Sequence, residues 1–147
     1  MAHGDFEGMQ KFFNSINTPI ILDESFLRFE HFKHIKSSPK NWLINLRISK
    51  MGGILRSIEI ANQAENLGLS LIIGTQVGET SILTRAALSI ANHYRDLVIA
   101  QEGAFGTYLL EKDITEDPII FGKDGALESS SITTNSYGWG INVRTLE

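Results

Sequence analysis

Several short stretches of this chain carry groups suited to chemistry on a small acid or to binding a cation. Ile21-Leu22-Asp23-Glu24-Ser25 ends an apolar run with two acids. A carboxylate placed there suits a hard cation, which takes oxygen ligands. Asn45, Arg47 and Ser49 alternate, which on a strand puts all three on one side. Lys50, Gly52 and Gly53 follow directly. Gly74-Thr75-Gln76-Val77-Gly78-Glu79-Thr80 and Gln101-Glu102-Gly103 add an amide and two more acids. A glycine pair such as Gly52-Gly53 at a strand–helix junction could cradle phosphate. It lacks the spacing of a phosphate loop or a dinucleotide fingerprint.

Each residue also has a structural use. Asp23 and Ser25 suit the cap of a following helix, and Thr80 suits the same role further on. Glu24 fits as an acid favoured by a helix dipole. Arg47 could pair with Asp23 or Glu79 only to satisfy buried charge. His3, His31, His34 and His93 show no metal-ligand spacing, and Ser129-Ser130-Ser131 has no adjacent base and reads as a loop.

These groups need a scaffold that brings them together. Four apolar runs, Pro19–Asp23, Trp42–Ile48, Leu69–Gly74 and Leu97–Gln101, read as strands. They are near-continuous rather than alternating, the pattern of strands covered on both faces in a parallel sheet. Between them lie helical periodicities. Ile54, Ile58, Ala61, Ala64 and Leu67 form one apolar face, and Ile82, Ala86, Ala87, Ile90 and Ala91 another. Phe26, Phe29 and Phe32 suggest a shorter helix. Phe6, Met9, Phe12, Phe13 and Ile16 suggest a helix ahead of the first strand. The order is α-β-α-β-α-β-α-β, and every strand delivers a charged or amide group at its C-terminal end. In parallel α/β arrays ligands gather at that end. Pro118–Gly125 reads as a short strand and turn, with Tyr137–Val143 as its return strand.

The chain has 147 residues, a net charge of −4, 42 % apolar and 20 % charged residues, and no cysteine. One domain is expected. Disulfide scaffolds, thiolate metal sites and cysteine nucleophiles are excluded. The absence of a basic stripe argues against a nucleic-acid partner. Runs such as Leu69–Ile73 are far too short to span a bilayer, and the N-terminus lacks the pattern of a secretory signal, so a cytoplasmic setting without a membrane partner is expected.

The residues at the four strand ends, in this order and spacing, resemble the C-terminal barrel region of the enolase superfamily. The branch is that of mandelate racemase and muconate lactonizing enzyme. The resemblance rests on Ile21–Ser25, on Asn45-Leu46-Arg47-Ile48-Ser49-Lys50-Met51-Gly52-Gly53, on Gly74–Thr80 and on Gln101–Gly103. Gly138-Trp139-Gly140-Ile141 is similar to the family's closing segment. It implies a fold of parallel strand–helix units forming half of a (β/α)8 barrel, equivalent to the fifth to eighth strands, over residues 1–113. Residues 114–147 would be a tail that packs near a capping domain.

The resemblance further implies metal-assisted abstraction of the proton α to a carboxylate, with Mg²⁺ as cofactor. The parent activity would be of the isomerase or lyase type, a cycloisomerase or an acid-sugar dehydratase. By position, Asp23 matches a metal ligand and Glu24 the neighbour that orients it. Arg47 stands where many relatives carry a catalytic lysine, Lys50 matches the lysine that follows, and Gln76 lies near a histidine base of racemase-like members. Glu102 matches a glutamate that meets the substrate carboxylate. Asn45 and Glu79 are expected to contact substrate. Arginine stays protonated and is a poor proton acceptor, though it can hold a carboxylate. The family's second-strand lysine pair and two preceding metal carboxylates have no counterpart upstream of Asp23. The chain is therefore expected to be a C-terminal fragment, inactive alone, with Mg²⁺ as the cofactor of the parent enzyme and the occupancy of its site in this chain left open. Its partners would be a small carboxylate substrate in the parent enzyme and either a second copy or the missing N-terminal half. The alternatives are a non-catalytic, self-associating half-barrel and a module that binds a small anion at Gly52-Gly53.

Overall fold

In the computed structural model, which describes residues 2–103, 106–127 and 138–145, the chain begins with a capped helix. Asp5 Oδ1 accepts from the Gly8 amide at 2.9 Å and starts α1 (Phe6–Ile16). This satisfies one of the donors that a helix N-terminus leaves free. The strands are β1 (Ile20–Leu22), β2 (Trp42–Leu46), β3 (Ser70–Ile73) and β4 (Val98–Gln101). Between them lie α2 (Phe32–Ile35), α3 (Ile48–Met51), α4 (Ile54–Leu67) and α5 (Ser81–His93), and α6 (Gly106–Leu109) follows β4.

The four strands form one parallel sheet in the order β1-β2-β3-β4. This is the α/β arrangement that the apolar runs call for. Because side chains alternate on a strand, β2 splits into two faces. Trp42, Ile44 and Leu46 join Leu22, Leu71 and Ile73 in the core with Ile60, Ala61 and Ala64 of α4 and Ala86, Ala87 and Ile90 of α5. Each fully buried aliphatic side chain stabilises the fold by about 1.5–3 kcal/mol relative to exposure. Leu43, Asn45 and Arg47 point to the opposite side. Among the described residues no further strand pairs with the outer edge of β1 or β4. Ile21 on β1 and Ile99 on β4 remain 52 % and 58 % exposed.

Several expectations are corrected. The strand expected over Trp42–Ile48 ends at Leu46, because Ile48 already begins α3, so Ser49 leaves the alternation with Asn45 and Arg47. Only Met9 of the α1 stripe is buried, while Phe12 and Ile16 are exposed. In α4 the deep positions are Ser57, Ile60, Ala61 and Ala64, and Ile58 is half-buried. Ser57 is accommodated because its hydroxyl donates to the Gly53 carbonyl at 2.9 Å. Ile82 of α5 is exposed, and Thr84 takes a buried position instead. The helix expected around Phe26–Lys33 is a 3₁₀ turn at Phe29–His31 followed by the single turn α2.

The tail also differs. Asp124 adopts φ 58° inside a tight turn, so the chain reverses at once and Phe121 bridges Leu127. The expected return strand pairs elsewhere: Val143 bridges Thr115. Tyr137 and the Ser129–Ser131 loop lie outside the described residues. No described helix is long and apolar enough to cross a membrane.

Candidate functional site

The parallel register carries the polar residues at the strand ends to one edge of the sheet. Ile44 pairs with Leu22 and Leu71, so Asp23 follows β1 close to where Asn45 and Arg47 follow on β2. Arg47 is 8 % exposed and sits between two acids. Its Nη2 forms ion pairs with Asp23 Oδ1 and, at 2.7 Å, with Glu24 Oε1. The short helix α3 brings Lys50 round to the same Glu24 carboxylate. This hydrogen bond from Lys50 holds the Glu24 carboxyl below the ordinary range. Asp23 and Ser25 do not cap a helix: the Asp23 carbonyl accepts from Phe26 N, and Ser25 Oγ accepts from Gly4 N.

A second group lies on β2–β4. Asn45 Nδ2 donates to Glu102 Oε1 at 3.3 Å, and the Thr75 amide donates to Glu102 Oε2 at 3.0 Å. Glu79 folds back on its own loop, where its Oε1 accepts from Gln76 N at 2.7 Å. Burial pushes the Glu79 carboxyl above its usual range, against the opposing pull of that amide, the Ser49 hydroxyl and Arg47. The structure thus brings all eight expected residues to one end of the sheet: Asp23, Glu24, Asn45, Arg47, Lys50, Gln76, Glu79 and Glu102. Three of their polar atoms, Asp23 Oδ1, Asn45 Oδ1 and Arg47 Nε, are buried without a hydrogen-bond partner, and of these Asp23 Oδ1 keeps its ion pair with Arg47. Buried polar groups ordinarily have a partner, so Asn45 Oδ1 and Arg47 Nε mark the centre of the cluster as incomplete.

Gly74 permits this packing. A Cβ there would meet Asn45 Oδ1 and would lie 2.7 Å from Arg47 Cγ. Gly74→Ala is expected to destabilise the chain by roughly 1–3 kcal/mol, as overpacking of a filled site does. Chemical denaturation measures that loss. Gly52 and Gly53 have φ of 90° and 101°, conformations that side chains resist, and their place is the turn from α3 into α4.

Beside the cluster lies a cleft of about 910 Å³, lined by Gln76, Val77 and Glu102 on the strand-end side and by Tyr108, Phe121 and Lys123 from the C-terminal segment. One capping residue of α5 carries no local sequence signal. Thr80 occupies the N-cap position of α5, as expected, but its side chain makes no capping bond. The cap is Asp113, whose Oδ2 accepts from both Ser81 N (2.9 Å) and Ser81 Oγ (2.8 Å) across 32 positions of sequence.

A divalent cation such as Mg²⁺ requires several oxygen ligands in near-octahedral array. Asp23 and Glu24 offer the right donor type, but Arg47 and Lys50 already engage both. Among the described residues no group of three His, Asp or Glu side chains converges on one point. The residues of this chain do not by themselves fit a Mg²⁺ cage.

The sequence matches the family described as "Enolase C-terminal domain-like" over residues 1–146. The chain belongs to that family, in its mandelate racemase/muconate lactonizing branch. An L-amino acid-D/L-Glu epimerase of Francisella philomiragia subsp. philomiragia is 24 % identical over 140 residues, 95 % of this chain and 37 % of that protein. The structure of 2-chloromuconate cycloisomerase from Rhodococcus opacus is similar with a TM-score of 0.79 at 24 % identity, covering 98 % of this chain and 37 % of that one. A dipeptide epimerase from Cytophaga hutchinsonii, complexed with Mg and the dipeptide D-Ala-L-Val, gives a TM-score of 0.80 at 19 % identity over 98 % of this chain and 37 % of that one. The parallel sheet is therefore part of a (β/α) barrel of this superfamily. The chain spans about a third of the length of the curated relatives it matches.

Proposed function

We propose that the strand-end cluster is one wall of a site for a small carboxylate, contributed by the C-terminal half of an epimerase- or cycloisomerase-like barrel. The observation that carries this reading is the convergence of Arg47, Lys50, Asn45 and Glu102 beside the cleft, with Arg47 Nε buried and unpartnered. A guanidinium presents donors in a fixed fork that matches a carboxylate, and here Asp23 and Glu24 engage only Nη2. Arg47 and Lys50 hold the substrate's carboxylate and any negative charge that develops on it. Glu24 positions both cations. Asn45 and Glu79 contact the rest of the substrate, Glu102 is aimed by Asn45 and Thr75, and Gln76 offers an amide where a base would otherwise stand. Asp23 is the carboxylate that this chain has to offer a divalent cation. Residues 114–147 form the tail next to a capping domain in the longer architecture.

Proton transfer is the part that this chain lacks. Arginine is a poor proton acceptor, a glutamine amide such as Gln76 does no acid–base work, and Lys50 is tied to Glu24. Proton abstraction next to a carboxylate also needs concentrated positive charge to stabilise the product. The parent protein is accordingly read as a Mg²⁺-dependent isomerase or lyase, and this chain as inactive alone. Incubated with hydrophobic dipeptides and Mg²⁺ in deuterated buffer, the chain is expected to leave the α-protons unexchanged by NMR. Exchange that disappears in Asp23→Asn would overturn this reading.

A further inference from the structure

We propose that Asp113 is the positioning residue of the strand-end cleft: it fastens the C-terminal segment to the start of α5 and so sets where Phe121 and Lys123 stand across from Gln76 and Glu102. This rests on the reading of the strand-end cluster as a ligand site that extends into the cleft beside it.

The Asp113 carboxylate is saturated. Oδ2 takes the Ser81 amide and hydroxyl, while Oδ1 takes the Thr115 amide and hydroxyl, each at 2.9 Å. An ionised carboxylate has about four lone-pair sites, and here four donors use them. Bonds to a charged acceptor are stronger than neutral ones. Burial pushes the Asp113 carboxyl up, but the bonds from Ser81 and Thr115 prevail and hold it below its usual range. Ser81 Oγ then accepts from the Ile119 amide at 2.8 Å, which extends the clamp along the tail. Ser81 and Thr115 are buried almost completely, so water does not compete for these bonds.

The clamp joins the two walls of the cleft. Ser81 stands two residues after Glu79, at the end of the loop that carries Gln76 and Val77. Ile119 stands two residues before Phe121, which packs against Gly103 at the end of β4 so closely that a Cβ there would lie 2.8 Å from its ring. The Phe121–Leu127 bridge then presents Lys123 to the cleft. The wall held by Asp113 is thus an aromatic ring with a cation two residues on, faced by exposed Val77. That wall suits the apolar body of a ligand whose carboxylate is held by Arg47 and Lys50. A helix cap alone would need only Ser81; the bonds to Thr115 and Ile119 tie the cap to the cleft.

The cysteine-free chain allows a direct test. Spin labels at Val77→Cys and Lys123→Cys report the width of the cleft by double electron–electron resonance. A single narrow distance is expected with Asp113 present, and a broadened one in Asp113→Asn, whose amide cannot accept on both sides, and in the milder Ser81→Ala. Hydrogen exchange at the Ile119 amide should accelerate by about tenfold or more in both variants, as loss of a charge-assisted bond implies. The Leu71 amide, bonded to the Leu97 carbonyl in the sheet, should keep its protection. An unchanged distance distribution in both variants overturns the proposal. So does loss of protection at Leu71 in step with Ile119, which would make Asp113 a general stabiliser. Neither measurement involves a ligand, so failure of the carboxylate reading and failure of the clamp are separate results.

Discussion

Equilibrium sedimentation of the isolated 16.3 kDa chain at micromolar concentration is expected to show a dimer or a larger species. The reason lies at the two sheet edges. Ile21 on β1 and Ile99 on β4 are more than half exposed, and neither strand contains a lysine, a common protection of a free edge. Phe12 and Ile16, one helical turn apart on α1, add exposed apolar surface. A two-fold axis along the direction of the strands would place β1 of one copy beside β4 of its partner and close an eight-stranded ring. It would also bring two strand-end clusters to one mouth. Apolar burial contributes about 25 cal/mol per Å² against the entropy of association. Ile21→Lys and Ile99→Lys each place an uncompensated charge at that junction and should weaken association by on the order of tenfold or more. A wild-type chain that sediments as a monomer across this range would show that it covers its own edges.

Replacing Arg47 is expected to give the largest effect in the site. Arg47→Met keeps most of the side chain's length but leaves Asp23 without its counter-charge. Breaking a buried pair costs about 3–5 kcal/mol when both partners are enclosed. The Asp23 side chain is 39 % exposed, so solvent screens the orphaned acid and the expected loss falls to roughly 1–3 kcal/mol. Urea denaturation measures it. Arg47→Lys restores the charge without the planar fork, so it should recover part of that stability and little of the carboxylate binding. A variant as stable as wild type would mean that the Arg47–Asp23 pair holds nothing in place.

Much of this geometry is legible in sequence because parallel strands impose it. An apolar run covered on both faces has few places for a polar side chain, so Asp23, Gln101-Glu102 and the Asn45–Arg47 alternation announce the strand ends. Pairing of Arg47 with Asp23 follows from register, since neighbouring parallel strands end together. The errors arise where contacts, rather than periodicity, decide. Phe12 and Ile16 continue the α1 stripe, yet nothing described packs over them. Ser57 lies deep in α4 because the Gly53 carbonyl satisfies its hydroxyl, which no hydropathy pattern encodes. Asp124-Gly125 forms the turn its residue types suggest, but its return partner is Leu127, because left-handed backbone at Asp124 reverses the chain within a few residues. The Asp113 cap could not be read locally at all: Thr80 has the right residue type at the right place, and the carboxylate that does the capping comes from the tail.

Titration of the ¹⁵N-labelled chain with N-acetyl-phenylalanine, followed at the Arg47 Nε–H, tests the central claim most directly. That nitrogen is buried without a hydrogen-bond partner, so an acceptor that enters the cluster is expected to shift its signal. The account predicts a saturable downfield shift with a dissociation constant roughly in the millimolar range, as one charge-assisted contact in half a site allows. The Thr75 and Gln76 amides should move in parallel, and Arg47→Met should abolish the response there. An Arg47 signal that stays fixed while carboxylate is raised to tens of times that concentration would contradict the assignment of these strand ends as a carboxylate site.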